Sequence, residues 1–308
     1  MKTILIAHNF SEVSFAYMSY HLAHSLADKG FRVIFISHQP YFEEEVIIPK
    51  EKGELIVCSW SSRNRPTSLK DFKLFFKIFI KYKPEIIIGH FVGANISAVV
   101  SKLSSFFKVR TYVYYHTLSQ QNLLDSKRTS LKQSIYKLRK KIFYYFFVDY
   151  LIFPSKMAKE DAIGYFGISQ KKTHVVLNAI PDRCKKQKNN SSQKIIVSYL
   201  GRLEPSKNVL LLIESFLEFE KTNKTQQVIL RIAGAGREAE KIKGASEKYD
   251  TIKFIGKLDY SLVDRYIQES HYVIIPSFID NLPTVGIESL MNYVPLLIST
   301  KTGLAEYC

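Results

Sequence analysis

The chain has 308 residues, 46% of them apolar and 13% aromatic, which is ample for more than one buried core and excludes a wholly disordered chain. Lys and Arg outnumber Asp and Glu by 44 to 28, a net charge of +16, which favours anionic partners without choosing among nucleic acid, anionic lipid and phosphorylated ligands. Three scattered cysteines, Cys58, Cys184 and Cys308, form neither a disulfide framework nor a zinc-ligand spacing and point to a reducing compartment.

The first predicted element is a buried strand over Thr3–His8, because His8 and Asn9 interrupt the apolar run too early for a signal peptide. Phe15, Met18, Leu22 and Leu26 then recur at helical spacing, and Gly30 stops the helix. Further strands are expected at 32–38, 55–60, 85–90, 110–116, 150–154 and 173–177. Most are continuous runs of Ile, Val, Leu, Phe and Tyr without alternation, as in parallel strands covered on both faces. Repeated strand–helix–strand order predicts an α/β, doubly wound sheet.

Two basic stretches interrupt this series. A helix over 69–83 sets Lys70, Lys73, Lys77 and Lys81 along one stripe, opposite Leu69, Phe72, Phe76 and Phe79. Residues 127–141 hold seven cations and no acid, and run into the aromatic Phe143–Phe147 within the stretch 127–147. Basic faces backed by aromatics suit an anionic membrane interface, each cation contributing ~1 kcal/mol. The alternative is that the aromatics are domain core and the lysines simply solvated. No nucleic-acid recognition module is visible. No run approaches the roughly 18 apolar residues of a membrane span; residues 143–153 come nearest and are broken by Asp149. The expectation is a cytoplasmic chain, soluble or peripheral on the inner face of the plasma membrane.

Residues 183–193 are polar, charged and aperiodic, and read as a linker between a domain at 1–182 and another at 194–308. A second strand series follows at 194–200, 227–233, 252–255, 272–276 and 295–300. In such paired domains ligands bind at the carboxyl ends of strands, and the cleft between domains is the expected active site.

The second domain opens with Gly201-Arg-Leu-Glu-Pro-Ser-Lys207, where two cations leave a strand end. Arg as a planar fork and Lys as a mobile point charge could hold a diphosphate; taken alone, they read equally as solvated loop cations. Later, Pro276-Ser277 precedes Asp280, and Glu288 follows eight positions on, within a helix expected to open near Pro283. Free N–H groups at that helix start can bind phosphate or sugar hydroxyls, and the two acids can accept from paired hydroxyls. A helix-dipole role for these acids is the alternative.

In this order, Gly201-Arg202-Leu203 with Lys207, Gly234-Ala-Gly236, Pro276-Ser277 and Asp280-x7-Glu288 resemble glycosyltransferase family 4, the retaining GT-B enzymes. The segments 151–155 and 175–181 are also similar. The resemblance spans nearly the whole chain and implies two Rossmann-like domains using a nucleoside-diphosphate sugar. It implies that Arg202 and Lys207 hold the donor diphosphate, Asp280 contacts the donor sugar, Glu288 accepts from the ribose hydroxyls, and groups around Leu282, Pro283 and Thr284 line the pocket. It also implies a first-domain histidine near the transferred sugar, for which His116 stands in place. The family's usual first acid is Glu, so Asp280 is shorter by one methylene, and Asn9–Ser14 replaces its Gly-Gly loop. Relatives continue beyond the equivalent of Cys308, so the second domain is expected to be C-terminally incomplete. No metal or other cofactor is expected.

Gly234-Ala-Gly-Arg-Glu-Ala239 also matches a dinucleotide fingerprint, with Asp259 near the place of a ribose-binding acid. A dinucleotide enzyme carries that turn on the first strand of its domain, whereas here it follows the second. The leading expectation is sugar transfer to a carbohydrate or lipid-linked acceptor, in surface polysaccharide or glycolipid synthesis. The alternatives are a sugar-nucleotide epimerase of the same fold and a non-catalytic membrane-associated binding protein.

Overall fold

The structure, a computed structural model, describes residues 1–8, 14–37, 44–61, 69–126, 128–183, 194–223 and 225–308. The chain divides into two compact units, Met1–His116 with Arg128–Ala179, and Thr117–Lys127 with Ile180–Cys308. Each unit has its own sheet, wholly parallel in the second and parallel but for one edge strand in the first, and its own core.

The first unit carries β1 (Thr3–His8), β2 (Arg32–Ser37), β3 (Val46–Pro49), β4 (Glu54–Ser59), β5 (Ile86–His90), β6 (Arg110–Tyr114), β7 (Tyr150–Phe153) and β8 (Thr173–Val175). Among the described residues the helices that follow the chain here are α1 (Ser14–Asp28), α2 (Leu69–Tyr82), α3 (Phe91–Ser104), α4 (Ser119–Asp125), α5 (Ser130–Phe146) and α6 (Lys156–Phe166), of which α4 is counted with the second unit. The strand order is β3-β4-β2-β1-β5-β6-β7-β8. Leu5, Ile34, Ile36 and Ile56 face one layer of core, and Ile4, Ile6, Val33 and Phe35 face the other with Ala23 and Ala27 of α1. Successive residues of a strand point to opposite faces, so covering both faces requires the unbroken apolar runs seen in the sequence.

Two features of this unit differ from the sequence reading. The strand β3 was not expected; it is an antiparallel edge partner of β4, short and ending in Pro49, a residue tolerated at edges. The helix α2 leaves Leu69, Phe72 and Phe76 exposed, which departs from the alternative reading of them as domain core. It buries Asp71, Phe75 and Ile78, spaced i, i+4 and i+7 on one face. Phe75 meets Trp60 edge-on at 5.0 Å between ring centroids, and Asp71 accepts a hydrogen bond from the Ser61 hydroxyl at 2.6 Å.

The second unit carries β9 (Ile195–Leu200), β10 (Val228–Ala233), β11 (Ile252–Gly256), β12 (Tyr272–Ile275) and β13 (Leu296–Ile298), with α7 (Val209–Thr222), α8 (Ala239–Ser246), α9 (Val263–Gln268) and α10 (Thr284–Met291). All neighbours in the order β11-β10-β9-β12-β13 are parallel. The chain proceeds from β9 outward through β10 and β11, then returns to the other side of β9 as β12. The carboxyl ends of β9 and β12 therefore flank the point where strand order reverses, the position where ligands settle in open α/β sheets.

The expected boundaries shift in two places. Thr117–Lys127 lies within the expected first domain but clusters with the second unit, because Asp125 accepts hydrogen bonds from Ser206 N at 3.0 Å and Ser206 Oγ at 2.9 Å. Arg183, expected as the first linker residue, is tied into the second unit through Asp264. Residues 184–193 of that linker, Lys127 of the basic stretch, and positions 9–13 of the Asn9–Ser14 segment lie outside the described residues.

Candidate functional site

The β9 end is shaped by close backbone approach. The Tyr199 hydroxyl donates to the Arg202 carbonyl at 2.6 Å, and Leu203 N donates to the Ala235 carbonyl at 2.9 Å. Gly234 has φ +154, and a Cβ there would come within 1.9 Å of the Gly201 oxygen; one at Gly236 would come within 2.3 Å of the Leu203 oxygen. The Gly-x-Gly turn after β10 thus clears room for the loop that presents Arg202. This contact accounts for both glycines without a dinucleotide.

From Leu203 the chain enters a 3-10 turn, Pro205–Lys207. Phe278 N donates to the Ser206 carbonyl at 2.9 Å, joining this loop to the one after β12. Across the junction the Lys207 ammonium donates to Asp280 Oδ2, and both side chains are largely buried. Asp280 is held from behind: its N–H donates to the Lys301 carbonyl at 3.2 Å, and its own carbonyl accepts from Gly303 N at 3.0 Å. Its carboxylate also accepts from Asn281 N at 2.9 Å. The fold therefore brings Lys207 and Asp280 into direct contact.

Arg202 is 57% exposed, with its NH2 3.6 Å from Asp125 Oδ2. Both candidate cations consequently face a carboxylate of the chain itself, and an anionic ligand must exchange with it. Leu282 is buried, and Thr284 is the first residue of α10. Pro283 sits one position earlier than its expected place in the first turn, as the N-cap at φ −65 and ψ 119.

Glu288 lies on the inner face of α10 and is 3% exposed. Tyr260 donates its hydroxyl to Glu288 Oε1 at 3.2 Å, and Arg183 NH2 lies 3.6 Å from the same oxygen. Burial pushes the Glu288 carboxyl up to about 7, against the opposing pull of Arg183 and Tyr260, with a smaller push from Asp264.

His116 belongs to the first unit, just past the end of β6. His90 Nδ1 and His116 Nε2 are 3.1 Å apart, and the Ser19 hydroxyl is 3.3 Å from His90 Nε2. Burial pushes His116 down to about 3 and holds His90 well below the usual imidazole range, so both rings are neutral at ordinary pH. A neutral imidazole can accept or donate a hydrogen bond but brings no charge to a sugar.

Sequence reasoning missed Asp125, Arg183 and Tyr260. None sits in a recognisable motif: Asp125 ends a short polar helix, and Arg183 opens a stretch with the composition of a linker. Among the described residues no group of three or more His, Cys, Asp or Glu is arranged to hold a metal ion, and no helix is long and apolar enough to cross a membrane. A hollow of about 850 Å³ on the second unit, lined by Leu211, Glu214, Glu218 and Tyr249, holds none of the candidate residues.

Comparison with known proteins finds matches along the chain. The family model described as Glycosyltransferase Family 4 matches residues 16–183, and that described as Glycosyl transferases group 1 matches 182–308. An uncharacterized glycosyltransferase of Methanocaldococcus jannaschii is 25% identical, covering 91% of this chain and 71% of that protein. Among solved structures, sucrose-phosphate synthase from Thermosynechococcus elongatus superposes with a TM-score of 0.77 at 17% identity, over 99% of this chain and 82% of that one. The lipopolysaccharide outer core galactosyltransferase WaaB gives 0.64 at 16% identity, over 98% and 81%. At these identities the structural likenesses establish the two Rossmann-like domains of a GT-B fold.

Proposed function

This chain belongs to Glycosyltransferase Family 4, and from that premise we propose that it transfers a sugar with retention of anomeric configuration to a carbohydrate or lipid-linked acceptor. It is a GT-B glycosyltransferase acting on a nucleotide-sugar donor. The observation that carries the site assignment is the junction of β9 and β12, where Lys207 meets Asp280 at the reversal of strand order. In the proposed reaction the diphosphate leaves against Arg202 and Lys207, which stabilise its developing charge. Asp280 orients the donor sugar, released from Lys207 when the diphosphate takes that cation. Glu288 accepts from the ribose hydroxyls, and the segment around Leu282 and Thr284 lines the pocket. The acceptor hydroxyl attacks the face from which the diphosphate departs and gives its proton to the leaving phosphate, so no protein nucleophile enters.

Surface chemistry supports an acceptor held at an anionic membrane. The helix α5 exposes Leu131, Ile135, Leu138, Ile142 and Tyr145, a single stripe at alternating spacings of four and three, with exposed Lys132, Arg139 and Lys141 beside it. After α3, Phe106 is 86% exposed. Phe106 and Phe107 hold φ of +51 and +65, a conformation that non-glycine residues adopt at a cost. Phe107 stacks on Phe147 at 6.0 Å between ring centroids. A second copy on the α5 stripe would oppose cations to cations, whereas anionic lipid complements them. The reading places the enzyme on the inner face of the plasma membrane, in surface polysaccharide or glycolipid synthesis.

The deciding experiment is thermal shift against UDP-, GDP- and ADP-sugars, followed by product analysis with a lipid-linked acceptor. Stabilisation by one donor and a product of unchanged anomeric configuration are expected. An inverted product removes the retaining mechanism. Epimerised donor without transfer identifies the epimerase, and the absence of nucleoside diphosphate release with every donor leaves a binding protein.

A further inference from the structure

We propose that Arg183 is a positioning residue for donor recognition: held by Asp264 and Tyr260, it keeps Glu288 Oε1 engaged so that the other carboxylate oxygen accepts from the ribose diol. The inference rests on the assignment of Glu288 as ribose acceptor and goes beyond it by naming what maintains that acid in its accepting form.

Arg183 is anchored before it reaches Glu288. Its Nε and NH2 donate to the two oxygens of Asp264 at 2.9 and 3.2 Å, a bidentate pairing that fixes the guanidinium plane. Asp264 is in turn fixed by Asn292 Nδ2 at 3.0 Å. Arg183 NH1 donates to the Tyr260 oxygen at 2.6 Å, which leaves the Tyr260 proton to point at Glu288 Oε1 at 3.2 Å. Arg183 NH2 stands 3.6 Å from that same oxygen. One guanidinium therefore acts on Oε1 twice, through space and through the tyrosine.

The groups facing Glu288 are Arg183, Tyr260 and Asp264. Burial and Asp264 favour the protonated acid, while Arg183 and Tyr260 favour the carboxylate. A ribose diol that donates two hydroxyl protons needs the carboxylate. Without Arg183 the acid would hold its proton to higher pH and lose that acceptor.

The test measures affinity for UDP, GDP and ADP, and for their 2′,3′-dideoxy counterparts, between pH 5.5 and 9. Wild type, Arg183→Lys, Arg183→Gln and Tyr260→Phe are compared. In wild type the ribose form should gain over the dideoxy form as pH rises through about 7, the value to which Glu288 is raised. In Arg183→Gln that midpoint should move up by at least about one pH unit, a loss of about fivefold or more at pH 7 confined to the ribose form. Arg183→Lys should restore part of the change, and Tyr260→Phe should move the midpoint the same way by less. Equal weakening of both ligand forms at every pH, or no movement of the midpoint in either Arg183→Gln or Tyr260→Phe, overturns the proposal. A wild type that does not distinguish the two forms at any pH instead overturns Glu288 as the ribose acceptor.

Discussion

The Lys207 ammonium and the Asp280 carboxylate, 73 positions apart in the chain, form a largely buried ion pair between the loops that leave β9 and β12. Each is a candidate donor contact, and each neutralises the other until an anionic ligand arrives. Lys207→Gln and Asp280→Asn should each lower turnover about 100-fold or more, read as nucleoside diphosphate release at saturating acceptor. Each should also destabilise the second unit by about 3 kcal/mol, because the remaining charge is buried alone. The double variant Lys207→Met with Asp280→Leu should lose less stability than the two singles together, measured by denaturant unfolding. Full turnover in either single variant would remove the pair from the site.

Asp125 competes for the other cation. Its carboxylate accepts from Ser206 and lies 3.6 Å from Arg202. Asp125→Asn keeps an acceptor for Ser206 but withdraws the charge beside Arg202. Nucleoside diphosphate should then bind several-fold more tightly by calorimetry, with stability lower by about 1 kcal/mol through the weaker hydrogen bonds. Unchanged or weaker binding would show that Arg202 does not meet the diphosphate.

Glu288 should trade stability for function. Its folded-state value of about 7 lies above the ordinary 4.5, so the native state binds more protons than the unfolded one between those limits. The contribution of this carboxyl to stability is then greatest below about 4.5 and is lost as pH rises to about 7. Glu288→Gln should be more stable than wild type at pH 8, by up to about 3 kcal/mol, and nearly equal to it at pH 4.5. The same variant, and Glu288→Ala, should transfer sugar poorly. A Gln variant with no gain at pH 8 would mean that the carboxylate is well solvated.

The histidine pair predicts the opposite slope. His116 is lowered to about 3 and His90 lies well below its usual value, both chiefly through burial. The unfolded chain binds protons that the folded pair refuses, so stability is lost as pH falls from about 6.5 toward 3. His116→Asn should flatten the dependence of melting temperature on pH between 6.5 and 4.5. An unaltered slope would place the acid sensitivity elsewhere.

For the membrane surface, Leu131→Ser with Leu138→Ser on α5, and separately Phe106→Ser, should reduce flotation with anionic vesicles several-fold while leaving melting temperature near wild type, because these side chains are exposed. Equal recovery with neutral and anionic vesicles would remove the electrostatic part of the proposal.

Most strands were legible in the sequence because a parallel strand covered on both faces must be apolar at every position. Thr3–His8 is one such run and is buried throughout. The edge strand β3 escaped notice because half of it faces outward and it ends in proline. The facing of α2 was ambiguous for another reason. Apolar residues surround most of that helix, so periodicity alone does not choose between the Phe72–Phe76 side and the Phe75–Ile78 side. Trp60, arriving from the end of β4, decides it.

The two cations and two acids of the proposed donor site stand out in the sequence as well, since they follow predicted strand ends and their order is itself a pattern. What the sequence by itself determined was which residue types leave the carboxyl ends of β9 and β12. Only the tertiary structure decided what those residues touch. Arg183 reaches Asp264 across 81 positions, and Asp125 reaches Ser206 across the same separation. No local spacing encodes such contacts, because they arise when separately folded elements meet and leave a buried charge in need of a partner.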